Sequence, residues 1–197
     1  MQYPGRQDRR TEPLLDSIDA LVDRLFPLLR PHAESGRLSL FGHSMGATVS
    51  FELARRFEAS GLPLHGLFVS ARPAPSRHRA GQTAHLNDAD LITKMRSLSG
   101  TDQQFFEDED LLRLTLPTIR NDYKAAETYT YQAGSELGCP IHAYIGDTDP
   151  MVTEDEARDW SKHTSGEFIL QKYTGGHFYL VQHQAAVLKD IGQQLAR

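Results

Sequence analysis

The sequence has a single cysteine, Cys139, which excludes any disulfide within the chain. It lies in "GCPIHAYIG", just ahead of a proline at a strand start, and reads as a small buried hydrophobe rather than a nucleophile. The lack of a disulfide framework is compatible with the cytosol. No apolar run approaches the roughly 20 residues that a membrane span needs. The first residues, "MQYPGRQDRR", hold no apolar core of a signal peptide. Basic charge is not in excess either. Lys and Arg number 21 against 26 Asp and Glu, for a net charge of −5, which argues against a general nucleic-acid binder. There is no internal repeat and no low-complexity tract. His32, His65, His78, His85, His142, His163 and His183 show no metal-ligand spacing and read as surface or packing residues, so nothing calls for a metal or a cofactor.

What is present is enough for a core. The chain has 197 residues, 39% of them hydrophobic, which suits one soluble domain. "DSIDALVDRLFPLLR" spaces its apolar residues as a helix does, and Pro27 is expected to end or bend it. "RLSLFG", "LHGLFVSA", "CPIHAYIG" and "GEFILQKY" read as strands. Ser44 to Glu58 reads as a helix, and "TEDEARDWSKHT" and "FYLVQHQAAVLKDIGQQLA" as helices after the third and fourth strands. Strands alternating with helices predict an α/β fold with a mostly parallel sheet covered on both faces. One crossover is too long for this pattern. Roughly 65 residues separate the second and third strands, against roughly 10 to 30 for a plain helical crossover. Helix-like stretches over Asp88 to Ser97 and Asp108 to Tyr131 make it an inserted helical lid, about 72–136. Its entrance, "ARPAPSRHRAGQ", is Pro-rich and basic. It reads as a solvated loop or as a contact patch for an anionic partner.

The motif that carries chemistry is "GHSMG", Gly42 to Gly46, between an apolar strand and a long helix. G-x-S-x-G in that setting is a nucleophile elbow. The turn is so sharp that the serine is strained, and flanking side chains would clash. Gly42 and Gly46 are expected to remove those clashes. The turn lifts the Ser44 hydroxyl above the sheet's C-terminal edge. It also aims the Met45 N–H at the place where an oxyanion would form, beside a helix N-terminus. The plain alternative is a Gly-rich turn with Ser44 as an N-cap. His43 could line the site, but shaping the turn is its simpler role. A serine needs a base, and the base needs an orienting acid. "IGDTDPMVT" offers Asp147 and Asp149 after the third strand, and "TGGHFYL" offers His177 after the fourth. Serine, acid, histidine is the chain order of an α/β-hydrolase. Asp149, at the loop tip, is the expected acid; Asp147 would brace the turn. Gly175 and Gly176 would give the His177 loop the freedom to reach Ser44.

Together, "YPGR", "FGHSMGA", "LPTIRNDYKAAETYTY", "CPIHAYIGDTDPMV" and "GGHFYL" resemble the type II thioesterases of nonribosomal peptide and polyketide synthesis. The resemblance runs from residue 2 to the C-terminus, and the stretch Leu116 to Tyr131 with "GGHF" is its most specific part. It implies a single α/β-hydrolase domain with a helical lid. It also implies a triad of Ser44, Asp149 and His177, with Met45 giving one oxyanion N–H. The implied partner is an acyl- or peptidyl-carrier protein whose phosphopantetheine arm bears a stalled or wrong acyl group. A cytoplasmic setting, with neither membrane nor nucleic acid as partner, goes with it. Ile92, Met95, Leu98, Leu111 and Leu112 could line the acyl pocket, although packing the lid on itself is their plainer role. The family carries strands and a His-Ala-Gly-Gly-type loop ahead of "QYPGR", and that loop would supply a second oxyanion donor. On this expectation the chain as it stands folds and turns over poorly. Two other readings are a small-molecule esterase on the same fold and an inactive remnant that binds carrier protein.

Overall fold

The computed structural model describes residues 1–36, 38–77, 81–98 and 103–196. Four strands form one sheet: β1 (Ser39–His43), β2 (Gly66–Ser70), β3 (Ile141–Gly146) and β4 (Phe168–Tyr173). Their order is β1-β2-β3-β4 and every pair is parallel. The registers put His43 opposite Ser70, Ser70 opposite Tyr144, and Gly146 opposite Tyr173. All four C-terminal ends therefore lie along one edge, and so do the loops that follow them.

Side chains alternate across the sheet, as strand geometry requires. Leu67, Val69, Ile141 and Ala143 face a large core shared with α1 (Ile18–Glu34) and α2 (Met45–Ala59). Phe68 and Tyr144 point the other way, to Tyr179 and Val187. Those two belong to α7 (Tyr179–Gln182) and α8 (Gln184–Leu195). The sheet is thus covered on both faces, as the alternation in the sequence predicts. Between β3 and β4 lies α6 (Glu154–Arg158), started by a full capping box of Thr153 and Glu156. Cys139 is buried in the core, where burial pushes its thiol up to about 12, so it is inert packing.

Two expectations need correction. Of the two outcomes expected at Pro27, an end or a bend, the end does not occur: α1 runs through Pro27 and Pro31 to Glu34. Both prolines lie on its exposed face, so the carbonyls they leave unbonded can turn to water. The C-terminal helix is interrupted. The chain breaks at His183, whose Nε2 lies 2.9 Å from the Thr174 carbonyl oxygen and 3.1 Å from Thr174 Oγ1.

The crossover from β2 to β3 carries α3 (Asp88–Ser97), α4 (Gln103–Glu107) and α5 (Glu109–Thr128). Asn87 and Asp108 cap α3 and α5. α4 has no forecast in the sequence, being too short to show a period. A separate apolar cluster of Leu91, Met95, Phe106, Leu112 and Leu116 holds this unit together. Its Glu127 carboxylate accepts from the Thr83 and Ala84 N–H groups, and Arg120 donates to the Ala84 and Leu86 carbonyls. α5 is also fastened to the N-terminal segment. Arg6 pairs with Asp122 at 2.5 Å, Lys124 with Asp16 at 2.5 Å, and Asn121 Nδ2 donates to the Leu15 carbonyl at 2.7 Å. The basic entrance "ARPAPSRHRAGQ" falls in part outside the described residues, as does His78; its Arg77 is paired with Asp159.

His32, His65 and His85 are exposed and His183 is half-buried, while His142 and His163 are buried. His163 sits edge-on among Phe51, Tyr131 and Trp160, with Nε2 2.9 Å from Ser76 Oγ. Burial lowers the pKa of His163 from 6.5 to about 4, and that of His43 likewise. A histidine of lowered folded pKa takes up a proton on unfolding, so its stabilising effect is complete above 6.5 and is lost as pH falls toward 4. The melting temperature is therefore expected to drop between pH 7.5 and pH 5, and the drop to be shallower in His163→Gln. A flat melting temperature over that range in the parent protein counts against this account.

Candidate active site

The elbow is built by contact between two backbones. A Cβ on Gly42 would lie 2.1 Å from the Gly46 carbonyl oxygen, 2.3 Å from its carbon and 2.6 Å from Ala47 N. Only glycine permits β1 and the start of α2 to come this close. Gly46 is a different case: a Cβ there meets nothing within 4 Å. The expectation that both glycines relieve clashes holds for Gly42 alone. Ser44 carries the strain, with φ 52° and ψ −120°. An N-cap serine has extended φ and accepts an amide bond through its side chain. Ser44 has neither property. Its N–H instead donates to the Ser70 carbonyl at 2.8 Å, fastening the elbow to the end of β2.

The Ser44 hydroxyl faces His177. Ser44 Oγ lies 3.1 Å from His177 Nε2, and His177 Nδ1 lies 2.9 and 3.1 Å from the two Asp149 carboxylate oxygens. The carboxylate is wholly buried and the imidazole almost so. The Asp149–His177 pair thus sits where its interaction is weakly screened. Asp149 Oδ1 also accepts from the Met151 N–H at 2.8 Å. Asp147 is exposed, and its Oδ1 accepts from the Gly175 N–H at 2.9 Å. It braces the His177 loop from outside, while Asp149 touches the His177 ring. The loop can dock there because Gly146 lacks a side chain: a Cβ on it would lie 2.3 Å from the Gly175 and Gly176 carbonyl oxygens. Gly175 itself has φ 122°, outside the range of ordinary side chains.

Ser44 opens into a cavity of about 870 Å³. Leu25 and Leu29 of α1, Leu40 and Phe41 of β1, and the Met45 and Val49 side of α2 form one wall. The crossover forms the other, through Met95, Leu98, Phe105, Ile119 and Tyr123. Of the five apolar residues considered as pocket lining, Met95 and Leu98 line the cavity. Ile92 and Leu112 pack within the crossover's own cluster, and Leu111 is exposed. Phe105, Ile119 and Tyr123 were not foreseen. Helical spacing shows which residues share a face, not which face meets the elbow. His43 lines the cavity too. Among the described residues no group of His, Cys, Asp and Glu side chains is arranged to hold a metal ion.

A parallel sheet covered by helices, with a strained serine at a strand–helix elbow and an aspartate and a histidine on the loops after β3 and β4 at the same edge, defines an α/β-hydrolase. A model of the thioesterase domain family matches residues 1–195, and the chain belongs to that family. Thioesterase PikA5 of Streptomyces venezuelae is 46% identical over 196 residues, covering 99% of this chain and 70% of that protein. A probable cadicidin biosynthesis thioesterase of Streptomyces griseus is 42% identical over 195 residues, covering 99% of this chain and 54% of its own length. Among solved structures, the type II thioesterase BorB from the borrelidin biosynthetic cluster superposes with a TM-score of 0.90 at 55% identity, over 98% of this chain and 79% of that one. The protein is an enzyme of the thioesterase class.

Proposed function

We propose that this protein hydrolyses acyl thioesters borne on the phosphopantetheine arm of acyl- or peptidyl-carrier proteins in nonribosomal peptide or polyketide synthesis, releasing stalled or incorrect acyl groups. The observation that carries the reading is the hydrogen-bonded series Ser44–His177–Asp149 at the base of a largely apolar cavity. The names of the relatives, drawn from biosynthetic clusters, support the setting. A soluble carrier as partner fits a chain in which no described helix is long and apolar enough to cross a membrane. We read 72–136 as a lid on the acyl chain and the cytoplasm as the place of action.

In this mechanism Ser44 Oγ attacks the thioester carbonyl while His177 Nε2 takes its proton. The negative charge that develops on the carbonyl oxygen is met by the Met45 N–H at the N-terminus of α2. Asp149 holds the imidazole through Nδ1 and stabilises the cation that forms. Collapse of the tetrahedral intermediate expels the thiolate, which needs little help because a thiol has a pKa of about 8.5. The proton held by His177 passes to it or to solvent. A water, deprotonated by the same Nε2, then attacks the acyl-serine, and breakdown returns the proton to Ser44 and frees the acid.

The test compares one acyl group on three carriers: holo-carrier protein, free pantetheine and p-nitrophenol. The expected kcat/KM is highest for the carrier-bound thioester, by about 10-fold or more over the pantetheine thioester, because binding to the remote protein surface lowers the barrier. Preference for the p-nitrophenyl ester would make the protein a small-molecule esterase. Binding of carrier protein without turnover would make it an inactive binder.

A further inference from the structure

We infer that His43 is a positioning residue for the base: the Ser70 and Tyr179 hydroxyls hold its ring as the wall against which the His177 ring is seated. The inference rests on the reading of Ser44 and His177 as nucleophile and base. His43 Nδ1 lies 2.9 Å from Ser70 Oγ, and Ser70 Oγ lies 2.7 Å from the Tyr179 hydroxyl. Ser70 is fully buried and Tyr179 is 2% exposed, so neither hydroxyl has water as an easy substitute partner. These three groups come from three places. His43 ends β1, Ser70 ends β2, and Tyr179 begins the helix two residues beyond His177.

The register of β1 on β2 makes the link possible, since His43 and Ser70 are paired residues. Ser70 then grips the elbow twice. Its carbonyl takes the Ser44 N–H, and its hydroxyl bonds the neighbouring imidazole. Tyr179 ties the same hydroxyl to the segment that carries the base. The nucleophile and the base, 133 residues apart in sequence, are thereby referred to one buried oxygen.

The rings around His177 are close-set. The His43 and His177 ring centroids lie 5.0 Å apart with the planes at 54°. Phe178 lies 5.5 Å from His43 and 5.1 Å from His177. The imidazole of His177 is therefore fixed by Asp149 at Nδ1 and by His43 and Phe178 at its sides. Its remaining nitrogen is left directed at Ser44. Phenylalanine in place of His43 would keep a ring but lose the bond that sets its orientation. His43 also stays uncharged: burial, and then the closeness of His177, lower its pKa to about 4. A cation beside His177 would oppose the proton that the base must accept. A neutral ring there does not.

The experiment uses the whole chain and measures two rates: turnover of an acyl N-acetylcysteamine thioester, and labelling by a fluorophosphonate. The variants are Ser70→Ala, Tyr179→Phe, His43→Phe, His43→Asn, the pair Ser70→Ala with His43→Phe, and Ser44→Ala. Ser70→Ala and His43→Phe are expected to lower kcat and the labelling rate by about 10- to 100-fold, with KM within about twofold of the parent. The pair should be little worse than either single variant, because both remove one link. His43→Asn places a side-chain polar atom near the former Nδ1 but has no ring. It is expected to fall as far as His43→Phe, since bond and ring are both needed, and parent-like turnover in a folded His43→Asn overturns the role of the ring as a wall. Thermal melting reports folding; should Ser70→Ala not fold, Tyr179→Phe and His43→Phe read the same link. An unchanged kcat in the folded link variants, or a raised KM at unchanged kcat, overturns the positioning role. If Ser44→Ala is inert at the same time, the nucleophile reading survives that loss. Labelling of Ser44→Ala at the parent rate overturns both.

Discussion

Alanine at Ser44 or at His177 is expected to lower thioester turnover by about 10⁴-fold or more, and alanine at both to be little worse than either alone. Without the hydroxyl there is no acyl-enzyme for the base to serve. Without the imidazole, Ser44 Oγ has no acceptor for its proton at 3.1 Å and remains a poor nucleophile. The two losses are the same loss, so their free energies do not add. Any residual rate in each variant is expected to come from the cavity and, in the proposed mechanism, from the Met45 amide, which the substitutions leave in place. Asp149→Ala should cost nearly as much, since it frees the ring and leaves a cation unbalanced in a buried place. Asp147→Ala should cost little in rate, because among the described residues that carboxylate accepts only the Gly175 N–H of the loop. The check is single-turnover kinetics on the five proteins, with labelling by a fluorophosphonate alongside. Additive losses would mean that the residues do not act together. A crippling Asp147→Ala beside a mild Asp149→Ala would mean that the acid is misassigned.

The second large effect separates the two glycines of the elbow. Gly42→Ala is expected to abolish labelling of Ser44 and to lower the melting temperature markedly. Its new methyl would sit at 2.1 to 2.6 Å from three backbone atoms, none of which can rotate away. Relief requires β1 and α2 to part, which displaces the hydroxyl, and a shift near 1 Å costs about 100-fold in rate. Overpacking of this kind costs about 1 to 3 kcal/mol of stability, or more. Gly46→Ala is expected to fold at least as well as the parent, because alanine is favoured over glycine inside a helix by about 1 kcal/mol. Its methyl projects into free space beside the cavity, so any effect falls on KM for bulky acyl groups. Equal behaviour of the two variants, in melting and in labelling, would refute this account of the elbow.

Much of this site could be read from residue order alone. "GHSMG" between an apolar strand and a long helix marks Ser44, and the loops after the third and fourth strands offer Asp149 and His177 in the order the chemistry needs. Position in the loop is the only mark in the sequence that separates Asp149 from Asp147, and both carboxylates bond the loop that carries His177. What escaped notice depends on register and on docking. Ser70 is an ordinary strand residue until β2 pairs with β1 and brings it opposite His43. Tyr179 looks like a core aromatic, which it also is. Ile119 and Tyr123 belong to α5, whose amphipathic pattern is equally consistent with packing on its neighbours or on the sheet, and Phe105 belongs to α4, too short to show a pattern. The break falls at His183, which is bonded to Thr174 nine residues away, and it leaves no mark on the hydrophobic period.

The long crossover also shapes how the protein is made. Ser44 and His177 are adjacent in space but 133 residues apart in the chain, and all four strands pair in parallel. The entropy of closing so long a loop rises only with the logarithm of its length, so the equilibrium penalty is modest. The kinetic penalty is not, because distant pairings reward the chain only after the intervening segment has been ordered. α1, β1, α2 and β2 follow one another closely and can assemble as an early unit that already contains the elbow. β3 and β4 are separated from that unit in the chain by the segment with α3, α4 and α5. Ser44 and the elbow around it are thus synthesised well before His177, the base of the proposed mechanism, and the elbow can form before that partner is available.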